Sequence, residues 1–120
     1  MNADGQLTIL DRRGPLAVAA LAGDLDWHTT GQLYPEAAQL AASHQQLVLD
    51  LSQVTYCDSS GLNMLLRLRR RLSEDGGGLA VAAPPAQTLR LIALAGADPV
   101  IAVHGSLAEA LAAHPDGTGD

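Results

Sequence analysis

The amino-acid sequence predicts a single α/β domain with a mixed, mostly parallel sheet, an N-terminal β-hairpin and about four helices. Two short apolar runs joined by a turn open the chain, and three further short runs alternate with amphipathic segments. Strands alternating with helices require right-handed crossovers, which makes the later strands parallel. The 120 residues suit one domain over 1–120, with a core at about 7–113 and a frayed tail at 114–120.

The N-terminal half begins with the hairpin. Strands are predicted at 7–11 and 16–22, because Gly14-Pro15 between them is typical of a turn. The alanine content of the second run would also suit a helix. A helix follows Asp26, with Thr29 or Thr30 as its expected N-cap, and fades near 43–46.

The C-terminal half alternates strands and helices. A short apolar strand is predicted at 47–51, and a polar connection then leads to Asp58-Ser59-Ser60-Gly61. A helix with leucines on one face follows and breaks at 75–78. The remaining elements are a strand at 79–83, a helix at 88–94, a strand at 100–103, and a last helix capped by Ser106 with Glu109 as its capping-box partner.

Composition excludes several classes of function. The formal net charge of -6 argues against nucleic acid or an anionic membrane surface as the main partner. Cys57 is the single cysteine, so no disulfide within the chain is possible. No apolar stretch is long enough to span a membrane and no signal peptide is visible, which predicts a cytoplasmic location.

Enzyme and metal chemistry find little support in the sequence. The four histidines stand far apart and only one cysteine accompanies them, so no metal site is predicted. Ser59 or Ser60 with His28 and Asp26 could form a hydrolytic triad, but the motif is not a nucleophile elbow. The arginines at 67, 69, 70 and 71 could meet an acidic partner, although a solvated helix end explains them more simply.

The segment Asp58-Ser59-Ser60-Gly61 carries two interpretations. Aspartate and serine are both favoured helix caps, and capping explains most of the pattern. One cap would suffice, however, and the free N–H groups and dipole of a helix N-terminus favour phosphate. A serine hydroxyl here is therefore also a plausible phosphoacceptor.

The same segment resembles the signature of the STAS family, specifically its bacterial anti-sigma factor antagonists. The resemblance rests on Val48-Leu49-Asp50-Leu51-Ser52, on Val54 to Leu62, on Gly23-Asp24-Leu25-Asp26 with Thr29, and on the order of elements over roughly 7–113. It implies a STAS-like sheet and makes Ser59, the first serine after the aspartate, the phosphoacceptor. It also implies a surrounding partner-binding set of Asp24, Asp26, Thr29, Asp58, Ser60 and Gly61. Trp27-His28 and Tyr56-Cys57 depart from the usual pattern.

What the resemblance implies is a protein-binding switch without catalysis or a cofactor of its own. The unphosphorylated form would bind an anti-sigma factor that is also an ATP-dependent serine kinase, and so release a sigma factor. A metal-dependent serine phosphatase would reset the switch. Gly61 would let the partner approach, and Leu62 and Leu65 would anchor the helix to the sheet. A STAS regulatory subunit of a transporter or sensory assembly, binding a lipid or nucleotide, remains the alternative, and self-association stays open.

Overall fold

The computed structural model describes residues 5–114, which form one five-stranded sheet in the order β1-β2-β3-β4-β5. The β1–β2 pair is antiparallel, and the other neighbouring strands are parallel. The predicted mixed sheet with its N-terminal hairpin is confirmed. The elements are β1 (Gln6–Arg13), β2 (Leu16–Leu25), α1 (Trp27–Ser43), β3 (Gln46–Cys57), α2 (Ser59–Glu74), β4 (Gly78–Ala82), α3 (Ala86–Leu94), β5 (Ala102–His104) and α4 (Leu107–Ala113).

Apolar side chains on the two faces of the sheet make two cores of unequal size. The larger core contains Leu33 of α1, Leu65 of α2 and Ile92 of α3, packed on inward residues of β2, β3 and β4. The smaller core lies on the opposite face, where Ala110 of α4 packs against residues such as Val48. Leu62 and Leu65 are both buried in the larger core, so they anchor α2 to the sheet as predicted.

Two strands and the caps of two helices differ from the sequence-based expectation. The strand predicted at 47–51 continues to Cys57, because its second half pairs with the end of β2. Register shifts at Ala20/Ala22 and Gly23/Asp24 interrupt the alternation of buried and exposed residues, which hides this half from a pattern search. The strand predicted at 100–103 begins only at Ala102.

The N-cap of α1 is also different. Asp26, and neither Thr29 nor Thr30, occupies the cap position, since its side chain accepts the first free N–H groups of the helix. The second apolar run, for which a helix was the alternative, is strand β2.

The remaining predictions concern the chain's end. At α4, Ser106 accepts from the N–H of Glu109, whereas the Glu109 carboxylate accepts from Gly105 instead of closing the predicted box on Ser106. The tail expected at 114–120 lies, apart from His114, outside the described residues. None of the helices within 5–114 has the length and apolar character needed to cross a membrane.

Candidate functional site

The parallel pair β2–β3 brings two helix N-termini together at one edge of the sheet. Leu25 is opposite Cys57, so the two strands end side by side. The N–H of Asp58 donates to the carbonyl of Leu25 at 3.1 Å, which joins the loop after β3 to the end of β2. Because α1 and α2 start directly after these strands, their N-caps Asp26 and Asp58 occupy neighbouring loops.

Asp58 alone caps α2. Its Oδ1 accepts from the N–H of Ser60 at 2.8 Å and from that of Gly61 at 3.3 Å. Ser59 is the first helical residue, and its side chain is exposed. Neither the Ser59 nor the Ser60 hydroxyl makes a hydrogen bond within residues 5–114. The capping interpretation of the motif therefore applies to Asp58, and the two serine hydroxyls are left for another use.

The two serines face different surroundings. Ser59 is open to solvent, while Ser60 is half-buried and lines a groove between α1 and α2. An enzyme that transfers phosphate would reach the Ser59 hydroxyl without moving any other part of the chain. Access thus distinguishes two side chains that the sequence presents as equivalent.

The loop between β2 and α1 is held by a complete capping box. Asp26 Oδ1 accepts from the N–H groups of His28 and Thr29, each at 3.0 Å. The Thr29 hydroxyl accepts from the N–H of Asp26 at 3.0 Å and donates to the carbonyl of Asp24 at 2.7 Å. The hydrogen bond from the Thr29 N–H is the main cause that lowers the pKa of Asp26, so this carboxyl stays ionised at neutral pH.

Thr29 was predicted to contact a partner, and the structure gives it a role within the loop. The residue is 5% exposed, and its hydroxyl is already engaged on both sides within the loop. It holds Asp26 in place without presenting a surface of its own. Asp24 likewise binds inward, because its Oδ1 accepts from the Thr55 hydroxyl at 2.5 Å and so ties β2 to β3.

Gly61, which was predicted to let a partner approach, has a packing role in the structure. It is buried against the ends of β2 and β3. A Cβ built on it would lie 2.6 Å from the Sγ of Cys57 and 2.7 Å from the carbonyl oxygen of Leu25. The glycine is needed because any side chain would push the first turn of α2, and Ser59 with it, away from the sheet.

One supporting residue, Gln87, was missed by sequence reasoning. Its Oε1 accepts from the N–H of Cys57 at 3.0 Å, and its Nε2 donates to the Cys57 carbonyl at 2.6 Å. The side-chain amide of Gln87 thus binds the β3 backbone at Cys57, the residue before Asp58. At this point β3 has already passed the last residue that pairs with β4. Gln87 lies 30 residues further along the chain, and no local pattern marks it.

The Cys57 thiol is buried and stays protonated at neutral pH. Burial, with a smaller contribution from the Asp58 charge, raises the pKa of the thiol to about 11.

Within the described part of the chain, no three or more histidine, cysteine, aspartate or glutamate side chains come together as a metal site. At this edge of the sheet, where two capped helices begin, the exposed hydroxyl of Ser59 is the group available for reaction.

The sequence of the chain matches a known family. Residues 10–111 match the family described as "Mlab, STAS domain", and the chain belongs to the STAS domain family. It is similar to the anti-sigma F factor antagonist of Paenibacillus polymyxa, with 28% identity over 108 residues covering 88% of this chain and 92% of the relative.

Solved structures extend the similarity. An anti-sigma factor antagonist from Mycobacterium paratuberculosis has 30% identity and a TM-score of 0.80, covering 92% of this chain and 96% of that one. The antagonist SpoIIAA in its unphosphorylated form has 20% identity and a TM-score of 0.75, covering 97% of this chain and 99% of that one. The phosphorylated Bacillus SpoIIAA has 18% identity and a TM-score of 0.71, covering 89% and 97%. At these identities the SpoIIAA structures show the shared fold.

Proposed function

We propose that this chain is an anti-sigma factor antagonist, a binding switch controlled by phosphorylation of Ser59. The observation that carries the proposal is the division of roles in the first turn of α2. Asp58 supplies the cap, Gly61 supplies the close packing, and the exposed Ser59 hydroxyl has no structural duty within residues 5–114. The relatives named as anti-sigma factor antagonists support the same function.

The geometry suggests how the switch operates. In the unphosphorylated form the Ser59 edge, with Asp26 and Asp58 beside it, would contact an anti-sigma factor that is also a serine kinase, and the bound sigma factor would be released. Transfer of phosphate to the Ser59 oxygen adds about -1.5 to -2 charges in the middle of that contact. Hydrolysis of the phosphoserine by a metal-dependent phosphatase would restore binding. Asp26 and Asp58 shape the site, and the chain supplies no catalytic group.

The test begins with capture of the partner. A Ser59→Ala variant stays in its binding form, so it is used as bait in the native cell, with Ser60→Ala as the matched control one residue away. A captured protein with an ATP-binding kinase fold supports the proposal. Capture of a transport permease would instead favour a regulatory subunit of a transport assembly.

Phosphorylation is then located directly. Incubated with the captured kinase and ATP, the native chain should gain one phosphate on Ser59, as should the Ser60→Ala variant, whereas Ser59→Ala should gain none. Fragmentation mass spectrometry assigns the position. Phosphate on Ser60, or continued modification of the Ser59→Ala variant, contradicts the assignment.

A further inference from the structure

The groove between α1 and α2 is an unassigned surface beside the phosphoacceptor. It has a volume of about 330 Å³ and is lined among others by Trp27, Thr30, Tyr34, Ser60, Asn63 and Arg67. Ser60, on its wall, directly follows Ser59 in α2. A molecule that contacts Ser59 from this side therefore also meets the groove.

Three side chains in the groove are of the types that dominate binding energy at protein interfaces. Trp27 is 77% exposed, which is unusual for the largest apolar side chain in the protein. The Arg67 guanidinium carbon stacks 3.9 Å from the centre of the Tyr34 ring, which holds its N–H edges in a fixed orientation. Tryptophan, tyrosine and arginine are enriched at binding hot spots because they bury large area at low entropic cost.

The charge of the groove is opposite to that of the chain. Four of the seven basic residues lie within 67–71, although the formal net charge is -6. Arg70 and Arg71 line a continuation of the same groove past Tyr34 and Arg67, with Glu74 at its end. Among residues 5–114 the ion pair between Arg13 and Asp11 is the only salt bridge, so these arginines have no carboxylate partner there.

We propose that this groove docks an acidic segment of the anti-sigma factor, with an apolar side chain against Trp27 and carboxylates along Arg67, Arg70 and Arg71. This inference rests on the proposed function and names the second contact that the partner makes beside Ser59. An elongated open groove with cations along one wall suits an extended or helical segment better than an enclosed small molecule. The opposite charge would also accelerate encounter with a chain that is otherwise acidic.

The first experiment uses Trp27 as a built-in reporter, because it is the only tryptophan in the chain. The probe is a synthetic decapeptide of glutamates with two leucines, compared with the same peptide carrying lysines. The glutamate peptide should change the Trp27 emission in a saturable way that weakens as salt is raised, and the lysine peptide should not. A response to both peptides or to neither would overturn the proposal. An equal response to inorganic phosphate or ATP would overturn it too, by making the occupant a small anion.

Variants then test the arginines. Arg67→Gln should weaken peptide binding about tenfold, because the Arg67 guanidinium is held in place by the Tyr34 ring. Arg70→Gln should weaken it roughly threefold, because Arg70 is an exposed charge without such a support. Arg67→Lys keeps the charge but loses the planar stacking, so it should fall between native and Arg67→Gln. Arg90→Gln on α3 is the matched control, since Arg90 is exposed and does not line the groove. Equal binding by all of these variants would overturn the proposal.

The captured anti-sigma factor separates this inference from the proposed function. Arg67→Gln combined with Arg70→Gln should slow association at least tenfold while Ser59 is still phosphorylated at saturating kinase. Unchanged association together with normal Ser59 phosphorylation would overturn the groove and leave the switch intact. Loss of Ser59 phosphorylation in the native chain would instead count against the proposed function.

Discussion

Gly61 and Gly31 both stand in helices, but their surroundings give substitution opposite effects. A Cβ at Gly61 would meet the backbone carbonyl of Leu25, which cannot move aside, whereas a Cβ at Gly31 would meet nothing within 4 Å. We expect Gly61→Ala to destabilise the fold by about 1–3 kcal/mol. Gly31→Ala, the matched control, should stabilise it by roughly 0.5–1 kcal/mol through the lower entropy of the unfolded chain.

Urea denaturation of the two variants checks this prediction, with the slope of the transition as a control for two-state unfolding. A stabilised Gly61→Ala protein would mean that α2 can shift on the sheet, and that the glycine serves a partner after all.

Asp26 combines the structural role of a helix cap with the functional role proposed above, and two substitutions separate them. Asparagine can keep the acceptor oxygen that binds the N–H groups of His28 and Thr29, so Asp26→Asn removes only the charge. We expect this variant to melt only slightly below the native protein, because it loses the charge that strengthens the cap hydrogen bonds, and to bind its partner or accept phosphate less well. Asp26→Ala removes the cap as well and should also lower the melting temperature.

Thermal melts and phosphorylation rates of the two variants are compared side by side. If Asp26→Asn leaves both partner affinity and phosphorylation rate unchanged, Asp26 is only the cap of α1.

The element α3 contacts the end of β3, two residues before Ser59, through the side chain of Gln87. Gln87→Ala would leave the N–H and carbonyl of Cys57 without their amide partner at the exposed edge of β3. An unpaired, partly buried peptide group costs about 1–3 kcal/mol. The end of β3 should then fray, and because Asp58 and Ser59 follow directly, phosphorylation of Ser59 should slow by more than the loss of stability explains.

Amide hydrogen exchange at residues 54–57 and single-turnover phosphorylation test this, with Gln32→Ala on the exposed side of α1 as the control. Native phosphorylation rates in a chain with a frayed β3 would show that the position of Ser59 does not depend on α3.

A pair of histidines joins the end of the short helix α4 to β5. The ring centres of His104 and His114 are 5.7 Å apart, and burial, together with the His104 charge, lowers the pKa of His114. The carboxyl end of α4 favours a cation, but this effect is small for a seven-residue helix and burial outweighs it. Because the folded pKa lies below the unfolded value of about 6.5, protonation opposes folding.

The contribution of this pair is therefore complete above pH 6.5 and is lost as the pH falls from there toward the folded pKa. We expect amide exchange in α4 to accelerate between pH 7.5 and pH 5, and a His114→Gln variant to lose this pH dependence. The corresponding change at His44, which ends α1, is the control. Exchange in α4 that is independent of pH would contradict the prediction.

The order of elements could be predicted from the sequence because each helix and most strands carry their own periodicity. The second half of β3 could not, since its pairing with β2 passes through two register shifts that break the alternation. At the site, Ser59 and Asp58 were identified from adjacent residues of one motif. Gln87 and the close packing of Gly61 depend on contacts between distant segments, which no local pattern reports. The inward hydrogen bonds of Thr29 belong to a local capping box, in which the sequence analysis chose the wrong residue as the cap.

At the scale of the whole molecule, phosphorylation should change binding without changing the fold. Ser59 is exposed in the first turn of α2, whereas Leu62 and Leu65 further along the same helix are buried in the core. The helix N-terminus favours the added anion by roughly 0.3–1 kcal/mol, while repulsion from Asp58 and Asp26 opposes it and is screened by solvent and salt. These effects nearly cancel, so the free energy of unfolding should move by less than about 1 kcal/mol.

Binding responds differently to the same charge. At a partner interface water is excluded, and a charge that must lose its hydration or face like charge costs several kcal/mol, whereas about 2.7 kcal/mol weakens binding a hundredfold. SpoIIAA shares its fold with this chain in both its unphosphorylated and its phosphorylated form. We therefore expect melting curves and amide spectra of the two forms to agree except near residues 58–62, while affinity for the anti-sigma factor falls at least a hundredfold.

The Ser59→Ala variant treated with kinase and ATP should retain full affinity. Spectral changes spread across the sheet, or a large drop in melting temperature, would mean that the switch acts by unfolding or rearranging the domain.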